Sequence, residues 1–381
     1  MNTRNIMLIA GEASGDRIAA RAVRAVNELA GERGISASAF GIAGDECLAE
    51  GMECLYNVRE MSVVGFVEVA RRFSFFRRVL REMTALLDTR KPDVLLLVDY
   101  PGFNIRLAKE AKKRGIKVVY YVSPQVWAWH ASRIDLLKTC VDEMLVVFPF
   151  EETLYHEHGA AQAHFVGHPL VERIEEERHA FRDREAFADA YDFNPSSQWL
   201  LVFSGSRSEE VRRLLPSMSI AATEFAAKHH MQAILVESQA IDAAHYDRYL
   251  ASQMVRFRDA RATHELMSHA TLGLLKSGTT TLEAALLGLP GVICYKTHPV
   301  SFAIGKRVVK LDYIGLANIV LGRKLYPELL QKEMTPVRMM AELDEVQRNR
   351  LQFIHELHGL ADTLRGPAPG PSRRVAEALL A

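Results

Sequence analysis

Short apolar runs recur along this chain, and each ends in a turn rich in glycine, hydroxyls or carboxylates that opens an amphipathic segment. Ile6–Ala10 runs into Gly11-Glu12-Ala13-Ser14-Gly15-Asp16, and Val94–Val98 into Asp99-Tyr100-Pro101-Gly102-Phe103-Asn104. Val118–Val122 runs into Ser123-Pro124-Gln125-Val126-Trp127. A run that is apolar at every position fits a strand covered on both faces, the condition of a parallel sheet. The segments between, such as Ile105–Arg114 closed by Gly115, then read as crossover helices, and Met144–Val147 supplies a fourth strand.

Near Phe165-Val166-Gly167-His168-Pro169 the pattern breaks, a charged stretch Glu172–Arg184 follows, and the alternation starts again. Trp199–Phe203 leads into Ser204-Gly205-Ser206-Arg207 and a helix expected to run through Leu215. Ala233–Val236, Leu272–Lys276 and Val292–Tyr295 are further strands. Leu272–Lys276 leads into Ser277-Gly278-Thr279-Thr280-Thr281 and a helix over Leu282–Leu287, which Gly288 can end and Pro290 keeps from continuing. At 381 residues the chain exceeds one ordinary core. The expected fold class is α/β, two Rossmann-like doubly wound domains facing a central cleft. Residues 1–170 form the first and residues 171–345 the second, and helices over 346–381 pack back across them, the last after the Pro/Gly connector Gly366–Pro371.

Lys+Arg and Asp+Glu both number 47, so an anionic partner must be held by a local patch, and nothing in the charge balance calls for nucleic acid. The four cysteines have no metal-type spacing and are expected as reduced cytosolic thiols; no metal site is expected. Met1–Asn5 is too short for the charged start of a signal peptide, and no apolar run is long enough to cross a bilayer. A membrane-spanning protein is excluded; a membrane-surface protein is not.

Ligands of doubly wound sheets sit beyond the carboxyl ends of the strands. Asp99 lies there, placed either to accept a proton from a hydroxyl nucleophile or to cap its own turn. Trp127 can stack on a sugar or pack a wall, and Gln125 can bond hydroxyls. Gly11–Asp16 resembles a phosphate turn, but Glu12 and Asp16 would repel a phosphate; a polyol or the reaction centre suits it better. Ser204–Arg207 is the better anion loop, with Ser206 and an arginine able to hold a diphosphate in bidentate fashion. Ser277, Gly278 and Thr279 open a second such turn, with Glu283 in the helix after it, read either as a cap or as a ribose ligand. Along Val67–Glu82 and the residue before it, Phe66, Val69, Phe73, Phe76 and Leu80 fall on one expected core stripe, leaving Phe75 on the other side among arginines. Val63, Val64, Phe75, Arg77, Arg78 and Arg81 suit an anionic membrane interface, or else a solvated basic face.

In this order, "GEASGD", "DYPGFN", "SPQVWAW", "VGHPL", "GSR", "SGTTTLEAAL" and "NIVLGRKLYPELLQ" resemble the lipid-A-disaccharide synthases, inverting glycosyltransferases of the two-domain GT-B type. The resemblance implies transfer from UDP-2,3-diacylglucosamine to 2,3-diacylglucosamine 1-phosphate, giving a β-1,6-linked disaccharide phosphate and UDP without a cofactor or metal. It implies Asp99 as the base and Glu12, Ser14, Asp16, Asn104, Gln125 and Trp127 on the acylated-sugar side. On the UDP side it implies Ser206, Arg207, Ser277, Gly278, Thr279, Glu283 and Asn318. It also implies a peripheral place on the cytoplasmic face of the inner membrane, and a homodimer. Three departures stand out: Ser204 and Ala317 replace common prolines, and Gly102 replaces a common second Asp, which leaves Asp99 as the carboxylate of its turn. The alternatives are a UDP-N-acetylglucosamine 2-epimerase, which needs no lipid-facing helix, and a non-catalytic nucleotide-sugar or lipid-binding protein, for which Asp99 would be dispensable.

Overall fold

The computed structural model describes residues 3–61, 73–127, 133–299, 302 and 311–381; Val63 and Val64 lie outside them. The chain divides into two compact units, Met1–Pro169 with Leu364–Ala381, and Leu170–Thr363. Each is a parallel sheet flanked by helices.

The first unit holds β1 (Thr3–Ala10), β2 (Ser36–Ala43), β3 (Glu53–Asn57), β4 (Val94–Val98), β5 (Lys117–Tyr121), β6 (Glu143–Val146) and β7 (Ala163–Phe165), in the order β3-β2-β1-β4-β5-β6-β7. All five residues of β4 are fully buried, each contributing about 1.5–3 kcal/mol of apolar burial. The edge strand β3 is mostly half-buried, which is why Glu-Cys-Leu-Tyr-Asn carries no strand signal in the sequence. The second unit holds β8 (Gln198–Phe203), β9 (Met231–Val236), β10 (Val255–Phe257), β11 (Leu272–Lys276), β12 (Gly291–Tyr295) and β13 (Glu328–Leu330), in the order β10-β9-β8-β11-β12-β13.

In both sheets the strand order reverses once, between β1 and β4 and between β8 and β11. Chain connections leave to opposite sides there, so a crevice opens at the carboxyl ends of that strand pair. Register pairs Ala10 with Val98 in one and Leu275 with Phe203 in the other. Four of the five turns singled out in the sequence, those after β1, β4, β8 and β11, therefore fall in two pairs, one at each crevice.

The last helix, Pro371–Leu380, returns to the first unit and lies on the helix Ala13–Glu32. Arg373 grips Glu32 with both terminal guanidinium nitrogens, and Arg4 and Lys117 donate to the carbonyls of Leu379 and Ala378, satisfying groups a helix end leaves open.

Two expectations are corrected. The helix after Arg207 does not stop at Leu215: it runs Ser208–His229 with Pro216 inside it, and Ser219 donates to the carbonyl of Pro216 at 3.1 Å. On the helix Phe73–Thr89 the expected core stripe holds at Phe76 and Leu80, which pack against the core, and fails at Phe73; Phe66 and Val69 lie outside the described residues. Val79, Met83 and Leu87 are buried, Phe75 and Phe76 pack against the same core, and Phe75 meets Tyr56 and Phe76 edge-on. Phe73, expected inside, is 56% exposed.

Candidate active site

At the first crevice the turn after β1 is pressed against the turn after β4. A Cβ on Gly11 would fall 2.3 Å from the ring of Tyr100, so only glycine admits that ring. Asp99 and Tyr100 both take left-handed backbone angles, φ 46° and 48°, and Val122 beyond β5 does so at 59°. Left-handed backbone away from glycine is uncommon and clusters where a site must aim its groups. The Asp99 turn is held by its own carbonyl, which accepts from Tyr120 Oη at 2.6 Å and Asn104 Nδ2 at 2.7 Å. Asn104 is wholly buried in that task, and its side-chain amide is spent on the turn.

Asp99 itself is half-buried, and its pKa is pushed up to about 6, first by loss of solvent and second by the charge of Glu12. A carboxylate so raised is a stronger base than an exposed one and is still ionised near neutral pH. Glu12 and Ser14 are exposed on the neighbouring turn. Asp16 is not. Its buried carboxylate accepts from the backbone amides of Gly44, Glu46 and Cys47 at 2.7, 3.1 and 3.3 Å, fastening the helix Asp45–Ala49. In this arrangement the Asp16 carboxylate is taken up by the fold. Replacing Glu12 by Gln removes the second cause of the Asp99 shift, so a 13C titration of the Asp99 carboxyl should move below about 6. An unmoved titration would show that the two carboxylates do not interact.

The turn after β5 is tied down by Glu151, a residue the sequence did not mark. Its Oε1 accepts from Ser123 Oγ at 3.0 Å and Trp127 Nε1 at 2.9 Å, and its Oε2 from the amides of Val147 and Phe148. Burial pushes Glu151 up to about 7 against those four donors. Trp127 packs edge-on to Phe148 and Phe150, so the wall-packing alternative describes its contacts, while Gln125 stays exposed.

At the second crevice Ser206 and Arg207 are exposed, and Thr279 is the exposed first residue of the helix Thr279–Leu286. Gly205 and Gly278 take φ of 115° and 146°. Neither the helix Ser208–His229 nor the helix Thr279–Leu286 has a side-chain cap hydrogen bond, and each begins at the turn after its strand, where the positive end of its dipole favours an anion. Ser277 Oγ is engaged with the Ile314 carbonyl at 2.9 Å. Glu283 lies 3.6 Å from His264 Nε2, whose Nδ1 is 2.5 Å from Glu177. Burial opposes the charge on His264, but its two carboxylate neighbours raise its pKa above the ordinary imidazole value. Asn318 is fully buried and fully engaged: Nδ2 donates to Tyr326 and Glu328, and Oδ1 accepts from the amides of Leu325 and Tyr326. Its side chain therefore fixes the segment from Leu325 to Glu328. Two charged residues the sequence did not single out, Lys276 and Glu210, lie between the turns with Nζ and Oε1 3.0 Å apart.

Among the described residues no three or more His, Cys, Asp or Glu side chains converge as they would around a metal, and no helix is long and apolar enough to cross a membrane.

The sequence profile described as LpxB, lipid-A-disaccharide synthetase, matches residues 6–363. The lipid-A-disaccharide synthase of Geobacter metallireducens is 38% identical over 89% of this chain and 87% of its own. That of Anaeromyxobacter sp. strain K is 38% identical over 99% of this chain and 97% of its own. Among solved structures, the glycotransferase of kitacinnamycin superposes with a TM-score of 0.65 at 16% identity, covering 100% of this chain and 99% of that one. The UDP-GlcNAc 2-epimerase from Neisseria meningitidis superposes with a TM-score of 0.62 at 11% identity, covering 100% and 98%. At such identities these two likenesses show the GT-B fold alone.

Proposed function

The chain belongs to the lipid-A-disaccharide synthase family and is a glycosyltransferase that joins lipid A precursors; from that premise we propose that it moves a diacylglucosaminyl group from UDP to the 6-hydroxyl of 2,3-diacylglucosamine 1-phosphate, with Asp99 as general base. The observation that carries the mechanism is the raised Asp99 carboxylate, held in a strained turn where the first sheet's strand order reverses. Asp99 takes the proton of the acceptor hydroxyl as its oxygen attacks the anomeric carbon. The bond from that carbon to the UDP oxygen breaks on the opposite face, so the linkage inverts. Glu12 and Ser14 orient acceptor hydroxyls, with Gln125 and Trp127 bounding the sugar. Arg207, Ser206 and the first amides after Gly278 take up the charge that develops on UDP, and Glu283 binds the nucleotide's ribose.

A mixed detergent-micelle assay with both acylated sugars tests this directly: UDP should be released only when both are present. UDP release from the donor alone, or conversion of unacylated UDP-N-acetylglucosamine, would support the epimerase reading instead.

We further propose that the helix Phe73–Thr89 meets an anionic lipid surface, with Phe73 as its apolar contact. Phe73 is exposed, the Arg77 guanidinium lies 5.8 Å from its ring centre, and Arg78 and Arg81 are exposed on the same helix. Each arginine near such a surface is worth about 1 kcal/mol, so replacing Phe73, Arg77, Arg78 and Arg81 by Ser should weaken vesicle flotation by roughly two orders of magnitude. Phe75→Ser should lower the melting temperature and leave flotation intact, because Phe75 packs on the core. Unchanged flotation of the fourfold variant would end the lipid-surface proposal.

A further inference from the structure

The Lys276–Glu210 pair has a geometry that helix capping alone does not explain. Lys276 is the last residue of β11, at the edge where the second crevice opens, and Glu210 is in the first turn of the helix Ser208–His229. Glu210 folds back over the loop. Its Oε2 accepts from the Ser206 amide at 3.1 Å, its Oε1 takes Lys276 Nζ at 3.0 Å, and Arg207 Nη1 lies 3.7 Å from the same oxygen. The glycines on both sides make room for this pair. A Cβ on Gly205 would fall 2.4 Å from Glu210 Oε2, and one on Gly278 would fall 3.1 Å from Lys276 Nζ. One carboxylate thus gathers a loop amide, an ammonium and a guanidinium, the set of donors a diphosphate requires.

We infer that Glu210 is an internal competitor for the nucleoside-diphosphate seat, so that UDP or a UDP-sugar binds by displacing its carboxylate from Lys276 and the Ser206 amide. The inference rests on the reading of this crevice as the UDP site and adds Lys276 and Glu210 to it. A diphosphate carries more negative charge than a carboxylate and wins Lys276 when bound. The displaced Glu210 then lies beside it as a like charge, which weakens product retention and speeds UDP release. The apparent affinity is reduced by the fraction of molecules in which Glu210 holds the donors.

The Glu210→Gln variant isolates the charge. Gln keeps the shape and serves a helix N-terminus as Glu does, so the turn is retained while the competing anion is lost. Calorimetry with UDP on the full chain should show Glu210→Gln binding about tenfold tighter than wild type, and Lys276→Met about tenfold weaker or more. In the Lys276→Met background the gain from Glu210→Gln should shrink, since the contested ammonium is gone. Melting curves on all four proteins identify any variant that fails to fold, in which case Glu210→Ala replaces Glu210→Gln. If Lys276→Met weakens UDP but Glu210→Gln leaves it equal or weaker, competition is overturned and the UDP site stands. If UDP binds wild type and no variant changes its affinity, both the competition and the placement of UDP at this crevice are overturned.

Discussion

Asp99→Asn should lower turnover by about two to four orders of magnitude while the protein becomes more stable at neutral pH. The loss follows from removing the only group proposed to accept the acceptor's proton; UDP affinity should be unchanged, because Asp99 lies in the first unit and the proposed nucleotide ligands in the second. The gain in stability follows from linkage. The folded-state pKa of Asp99, about 6, lies above its ordinary value of 3.8, so the folded protein holds that proton more tightly than the unfolded chain. The stabilisation from protonation is complete below pH 3.8 and is lost as pH rises through about 6. Above that, the ionised and partly desolvated carboxylate opposes folding by up to about 3 kcal/mol. Asn carries no such charge, so its melting temperature should exceed that of wild type at pH 7.5, and the two should converge near pH 4. An inactive variant that is also less stable would mean that Asp99 serves the turn rather than the chemistry.

Asp16→Ala should have the opposite profile. Three backbone amides lose a charged acceptor, and those of Gly44 and Cys47 are buried. Each such contact is worth about 1.5–3 kcal/mol, and partial rehydration brings the expected total to about 3–5 kcal/mol. Denaturant melts should shift by that amount, while the protein that remains folded at low temperature keeps turnover within a few-fold of wild type. A variant of normal stability with abolished turnover would return Asp16 to the acceptor site. The two carboxylates of Gly11–Asp16 therefore divide their work: Asp16 fastens the next helix, and Glu12 supplies charge to Asp99.

The central strands were legible because their apolar runs are long: β1, β4 and β8 are buried through their carboxyl-terminal halves, β11 as far as Leu275, and the turns that follow them form the candidate site. The edge strands were not, because Glu53–Asn57 and Val255–Phe257 are covered on too little of their surface to need uniform apolarity. Polar residues near turns were the least legible. Asp16, Asn104 and Asn318 look in sequence like Ser14 or Ser206, yet each bonds backbone within the fold. Glu151, Glu210 and Lys276 carry no local signal because part of their role depends on residues distant in sequence, Ser123 and Trp127 for Glu151 and each other for the last two. Phe73, Phe75 and Phe76 crowd three aromatics into four positions, so the helix phase could be set only by packing, which chose Phe75 and Phe76.

In the proposed mechanism Asp99, ionised, removes the acceptor's proton. The pH dependence of kcat/KM in the two-substrate micelle assay tests it most directly. The expected profile is level near pH 7.5 and falls tenfold per unit below a midpoint near 6, the value at which Asp99 gains its proton. In Asp99→Asn the residual activity should show no such acid limb. A wild-type profile that stays level down to pH 4.5, or an acid limb that persists unchanged in Asp99→Asn, would contradict the account.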